Sequence, residues 1–156
     1  MSRALVVYYS WTGHTRQIAE AVAGALGADL EEIREVNART GRFAFLRSLW
    51  EALWRKQVPI RASERDHSAY ELVVLGTPVW AARMSSPTYA YIDRYGHKFP
   101  RIALFCTEGC ANGDKALGQM AALCSKVPEA TLIVTEKDLN SGDWRGMVAD
   151  FVKALH

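Results

Sequence analysis

The sequence predicts an α/β fold, a doubly wound five-stranded parallel sheet with helices on both faces, in one domain over residues 1–156. Three observations carry this. Short apolar runs recur along the chain, the residues after each run switch to helical spacing, and turn residues separate the two patterns. Right-handed crossovers then leave few topologies for such an alternation.

Residues 4–9 form an uninterrupted apolar run of the kind found in strands buried on both faces. Residues 15–26 then take helical spacing, with Ile18, Ala19, Val22 and Leu26 on the inner face and Gly27 placed to stop the helix. A second strand is expected at 30–36, its alternation blurred by charged residues. Buried runs at 71–76, 102–106 and 131–135 supply the other three strands. Between the second and third strands, Phe43, Leu46, Leu49, Trp50, Leu53 and Trp54 recur at helical spacing, which predicts an amphipathic helical insert at about 40–66. The same stretch holds Arg39, Arg42, Arg47, Arg55, Lys56, Arg61 and Arg65 with few balancing acids. It reads as the solvated face of a core-packed helix; a cover for a ligand pocket or a homodimer contact is the alternative.

Composition narrows the function classes. Of the residues, 49% are hydrophobic and 23% charged, as in ordinary globular chains. A formal net charge of +2 gives no argument for nucleic acid as a partner. No apolar run approaches the roughly 18 residues of a membrane span, and residues 1–3 lead into a strand without a leader pattern, so a cytoplasmic location is expected. Cys106, Cys110 and Cys124 are read as reduced thiols.

The segment Ser10-Trp11-Thr12-Gly13-His14-Thr15 joins the first strand to the first helix, where free backbone N–H groups and the helix dipole favour an anion. Ser10, Thr12 and Thr15 carry hydroxyl donors, and Gly13 permits close backbone approach to a phosphate. The segment has neither a P-loop lysine nor the glycine spacing of a dinucleotide fingerprint, so a monophosphate suits it better. On its own it reads also as ordinary helix capping. A phosphatase Cys-x5-Arg loop is excluded, because the arginine position falls on Asn112 counting from Cys106 and on Ala116 counting from Cys110. The Cys-x3-Cys spacing lacks a second ligand pair for zinc. A phosphoacceptor receiver would need aspartates where Tyr9-Ser10 and Gly76-Thr77 stand.

Ser-x-Thr-Gly-x-Thr after a first apolar strand, Gly76-Thr77-Pro78-Val79-Trp80 after the third, and Phe105-Cys106-Thr107-Glu108-Gly109-Cys110-Ala111-Asn112-Gly113 after the fourth occur in the order of one family. The chain resembles flavodoxins and flavodoxin-like oxidoreductases over essentially its whole length. That resemblance implies a sheet ordered 2-1-3-4-5 with FMN at its carboxyl edge. It implies that Ser10, Trp11, Thr12, Gly13, His14 and Thr15 hold the phosphate, and that Thr77, Pro78, Val79, Trp80 and Ala81 run along the isoalloxazine ring. Thr107, Glu108, Gly109, Cys110 and Gly113 would flank its other side. Trp80 is the candidate to stack on the ring, although by itself it reads equally as a core residue. His14 stands where the family commonly has Asn.

The implied function is an oxidoreductase moving electrons from a nicotinamide to a small acceptor such as a quinone or flavin, with no dedicated catalytic acid or base visible. The alternative is a non-enzymatic carrier docking on a protein electron donor, but the slightly basic charge and clustered arginines differ from acidic carriers. Ala81-Ala82 stands where the family often has glycine. Because alanine resists positive φ, weak stabilisation of the one-electron-reduced flavin is expected. Arg83, Met84 and His14 are candidates to line a substrate opening, and Tyr89, Tyr91 and Tyr95 read as core or as a dimer surface.

Overall fold

Period-two alternation sorts the side chains of the first strand to two different cores, so each face must be covered by helices. The computed structural model describes residues 3–36, 58–109 and 111–156. Strand β1 (Ala4–Tyr8) sends Ala4, Val6 and Tyr8 to one core and Leu5 and Val7 to the other. Helix α1 (His14–Leu26) and strand β2 (Asp29–Glu32) follow, then β3 (Leu72–Trp80), β4 (Arg83–Met84), α2 (Ser86–Tyr95), β5 (Ile102–Glu108) and α3 (Gly113–Cys124). The chain ends with β6 (Thr131–Thr135), α4 (Glu136–Ser141) and α5 (Trp144–Lys153). Strands lie in the order β2-β1-β3-β5-β6, all parallel, with β4 paired antiparallel to the end of β3. Counting only the parallel strands, this is the expected order 2-1-3-4-5.

One core joins Ile18, Ala19 and Val22 of α1 to Val148, Phe151 and Val152 of α5, and the other joins Tyr91 and Ile92 of α2 to Leu117 and Met120 of α3. Gly27 ends α1 with φ 64°, the left-handed cap its position predicts. Near the centre of the sheet, Gly76 is required by close approach, because a Cβ there would lie 2.0 Å from Cζ of Phe105. The aromatic ring occupies the space that a side chain would need.

Two strands differ from expectation. The second is shorter, because after Glu32 the chain leaves β1 and pairs instead with residues 59–61 through the Glu35–Ile60 bridge. The third is longer: it runs on through Pro78 to Trp80, where β4 pairs with its end. Most of the expected insert at 40–66 lies outside the described residues; its last part, from Val58, is extended chain followed by a short 3-10 turn, His67–Ala69.

A buried polar chain fastens this returning segment. Tyr91 donates its hydroxyl to Glu31 at 3.1 Å, so His67 Nε2–H is the donor in the 2.6 Å contact with Tyr91. Ser63 donates to the other oxygen of Glu31 at 2.9 Å, and Tyr95 accepts from the Ser63 N–H. Tyr91 is therefore a core residue, while Tyr89 and Tyr95 pack partly buried against the same core.

Burial holds the His67 imidazole below its ordinary value, against the opposing pull of Glu31. The folded state thus disfavours the proton that the unfolded chain accepts near pH 6.5. Stability from this group is full above that pH, is lost as pH falls from there toward the lowered folded value, and levels off below it. Urea midpoints should drop as pH falls below about 6.5, and His67→Gln should flatten that slope. Separately, Gly76→Ala should cost about 1–3 kcal/mol through overpacking against Phe105, read as a lowered urea midpoint at unchanged m-value.

Candidate functional site

The turns after β1, β3, β5 and β6 meet at the carboxyl edge of the sheet and enclose a cleft of ≈ 170 Å³. Trp11, Thr12 and His14 line it from the first turn, and Pro78, Val79 and Trp80 from the second. Thr107, Glu108 and Gly109 come from the third, and Glu136 from the fourth.

Gly13 forms the N-cap of α1 with φ 100°, a conformation that only glycine takes freely, and no heavy atom lies where its Cβ would stand. No side chain caps this helix and its first turn carries no acid, so its positive end is unneutralised among the described residues. By contrast, α4 has a full capping box, Thr135 with Asp138. The Gly13 N–H donates to Ser10 Oγ at 3.1 Å, which draws the turn tight and leaves the Ser10 hydroxyl proton available. Thr15 differs from expectation. It is buried, and its hydroxyl lies 2.8 Å from that of Thr107, so these two threonines tie the first turn to the third.

Thr77 is also turned inward. Its hydroxyl accepts from the Ser85 N–H at 3.0 Å, and the Ser85 and Thr88 hydroxyls complete a buried cluster beneath the β3–β4 hairpin. Trp80 borders the cleft yet is only 7% exposed, meeting Tyr9 and Trp11 edge to face at centroid distances of 5.6 and 5.9 Å. Both readings of Trp80 hold: it is a core residue with one edge on the cleft. The third turn is fixed by Glu108, whose carboxylate accepts from the Gly113 N–H at 2.7 Å. A Cβ on Gly113 would meet Cys106 Sγ and Glu108 Oε2, both at 2.9 Å. Cys110 lies outside the described residues. Cys106 is fully buried and its thiol is pushed up to about 12 by burial, which leaves no thiolate to act as a nucleophile. Among the described residues no cluster of His, Cys, Asp and Glu could hold a metal ion.

Ala81 and Ala82 correct the sequence reading. Both have positive φ, 50° and 62°, because Trp80 pairs directly with Arg83 and leaves a two-residue hairpin that needs left-handed backbone at both positions. The expectation of weak one-electron stabilisation rested on alanine avoiding this region and so loses its ground. Of the residues suggested for a substrate opening, His14 lines the cleft, Met84 is buried in the core and Arg83 is half-buried. Glu136 was missed, since the sequence reading stopped at three turns although the fifth parallel strand ends at the same edge.

The flavodoxin family profile matches residues 3–155. The chain belongs to the flavodoxin family. Among curated proteins, one from Paraburkholderia phymatum named NAD(P)H dehydrogenase (quinone) is 34% identical over 125 residues, covering 74% of this chain and 58% of that one. This flavodoxin-family chain thus spans less than two thirds of that relative's length. Among solved structures, a flavoprotein in complex with FMN from Lactobacillus acidophilus superposes with TM-score 0.73 at 19% identity, covering 92% of this chain and 99% of the other. A Fusobacterium nucleatum flavodoxin bound to flavin mononucleotide gives TM-score 0.63 at 10% identity, covering 99% and 97%. At these identities the likeness concerns the fold. No helix among the described residues is long and apolar enough to cross a membrane.

Left-handed alanine costs about 1–2 kcal/mol per residue, against about 0.5–1 kcal/mol for the extra freedom of unfolded glycine. Ala81→Gly should therefore raise stability by about 0.5–1 kcal/mol, as should Ala82→Gly, each checked by equilibrium urea unfolding.

Proposed function

We propose that this chain binds FMN and acts as an oxidoreductase, passing electrons from a nicotinamide donor to a small acceptor such as a quinone. The observation that carries the reading is the convergence of an uncapped, acid-free helix terminus at Gly13 with a slot walled by Trp11 on one side and residues 78–80 and 108–109 around it. An anion and a flat ring are the two ends of one ligand there. The name of the Paraburkholderia phymatum relative supports the donor and acceptor classes.

The residues fit such a ligand. The backbone N–H groups that open α1 and the Ser10 and Thr12 hydroxyls would hold the phosphate, and Thr15 would act one step back by bracing Thr107. Pro78, Val79, Gly109 and the edge of Trp80 would border the ring. At ≈ 170 Å³ the cleft is smaller than the roughly 300 Å³ or more of enclosing ligand pockets, so it would grip part of the ring and leave an edge to solvent. Bound FMN supplies hydride and electron transfer. The protein's task is then to orient the ring and keep one face accessible. Glu108, anchored to the Gly113 N–H, would place a carboxylate beside the cleft and oppose accumulation of negative charge there. The domain proposed is the whole chain, 1–156, working in a reducing compartment where Cys106 and Cys124 stay free.

The visible spectrum decides the matter. After incubation with FMN and removal of excess, the protein should keep a flavin spectrum that anaerobic NADH or NADPH bleaches and a quinone restores. Flavin retained but untouched by either nucleotide would move the assignment to an electron carrier, and failure to retain flavin would remove the proposal.

A further inference from the structure

Trp11 separates the cofactor cleft from a second groove of ≈ 280 Å³, bounded by Tyr9, Ser10, Arg34, Glu35 and Arg61. Arg34 and Arg61 also line its continuation, a further ≈ 330 Å³ along β2. The two arginines are placed by a short antiparallel pairing. Glu35 bridges Ile60, the Arg61 N–H donates to the Arg34 carbonyl at 2.8 Å, and the Val36 N–H donates to the Pro59 carbonyl at 3.1 Å. In that register Arg34 stands directly opposite Arg61, on the same side of the ladder. Like charges in directly opposed positions repel, so the arrangement is unfavourable unless an anion lies between them.

Of the carboxylates that line the groove, Glu64 is exposed on its β2 end, and the other three serve other partners. Glu35 accepts from the Tyr9 hydroxyl at 2.9 Å, and Glu32 is held by Arg16 and by the Tyr8 hydroxyl at 3.2 Å, reaching Arg34 only at 3.8 Å. Glu31 accepts from Ser63 and Tyr91, and Arg65 is occupied with Asp29. The Arg61 side chain makes no hydrogen bond or ion pair among the described residues, and both Arg34 and Arg61 are exposed. Two arginines opposed across a ladder line one elongated groove, Arg34 held only by the 3.8 Å approach of Glu32, and their planar forks suit a phosphate ester.

We propose that Arg34 and Arg61 form a nucleotide-phosphate site that receives the adenosine phosphate end of the nicotinamide donor. The groove shares Trp11 with the cofactor cleft, so an extended dinucleotide lying along β2 brings its other end to the Trp11 edge of that cleft. The inference rests on the oxidoreductase reading, and it assigns to that reading a donor site formed by residues outside the three loops of the cofactor cleft.

The test is calorimetric titration of the full chain, with and without FMN, using ADP and 2′,5′-ADP as probes that carry no redox chemistry. At least one probe should bind the native protein. Arg61→Ala and Arg34→Ala should each weaken it about tenfold, the worth of a charge-assisted contact, and Arg61→Lys should recover part of the loss. Stronger binding of 2′,5′-ADP would assign the pair to a 2′-phosphate, and equal binding would assign it to the pyrophosphate; both support the site. Because the two side chains are exposed and repel each other, the alanine variants should unfold at or slightly above the native urea midpoint and retain flavin as the native protein does. Arginine-dependent nucleotide binding by a chain that fails to hold FMN would support the groove while removing the oxidoreductase reading. Absence of binding by the native chain, or equal affinity in the alanine variants, would overturn the site.

Discussion

Parallel pairing of β1 with β3 is the constraint on which the site depends. The chain leaves β1 toward α1 on one face of the sheet and leaves β3 toward α2 on the other. The two turns therefore diverge, and a crevice opens between them at the carboxyl edge without any residue being spent to make it. The positive end of α1 faces that crevice because a helix returning from a parallel strand must begin there. The location of an anion site is thus a property of topology, and the sequence need only refrain from filling it. Gly13, the missing side-chain cap and the acid-free first turn are how this sequence refrains.

Beneath the crevice the turns are held by contacts that cross between strands. Thr15 meets Thr107 across the sheet, Glu108 fixes the start of α3, and Phe105 presses on Gly76 in the strand between. The Thr15–Thr107 and Gly76–Phe105 contacts join residues far apart in sequence and depend on the strand register already described, while Glu108 closes its own turn. A turn held only by its own residues would move freely. Here the first turn is braced by the third, and the third by the helix that follows it. Such bracing is what lets polar groups keep a fixed direction before any ligand arrives.

Much of this was legible in the residues. The five parallel strands, the helix from 15 to 26 and its stop at Gly27 follow from burial periodicity and turn chemistry, which act locally. What was not legible is the direction of individual hydroxyls. Thr12 and Thr15 are chemically alike and three residues apart, yet Thr15 falls on the inner face of α1 and turns to Thr107 while Thr12 remains exposed. Thr77 is a strand residue whose hydroxyl is claimed by Ser85 and Thr88, partners that only the β3–β4 hairpin brings near. The hairpin itself was hidden because Ala-Ala is a poor turn sequence. Local propensity argued against a conformation that tertiary contacts impose, and Glu136 was overlooked because a helix start after a fifth strand has no distinguishing composition.

The hairpin shows how that imposition works. Left-handed backbone at Ala81 and Ala82 opposes folding by about 1–2 kcal/mol per residue. Against it stand the edge-to-face contacts of Trp80 with Tyr9 and Trp11, the burial of Met84 and the hydroxyl cluster under Ser85. Aromatic pairs add about 0.5–1.5 kcal/mol each beyond their area, and burying a side chain the size of Met about 1.5–3 kcal/mol. The flanking residues therefore outweigh the turn, and the strained conformation persists because both ends of the loop are anchored. Strain held in this way sits at the wall of the candidate cofactor cleft, where backbone position governs what can approach. Replacing either alanine by glycine would relieve the strain and also loosen the wall. The poor turn sequence thus makes the hairpin dependent on the aromatic contacts of Trp80, and couples the shape of this wall to the packing of Trp11, which borders the arginine groove as well.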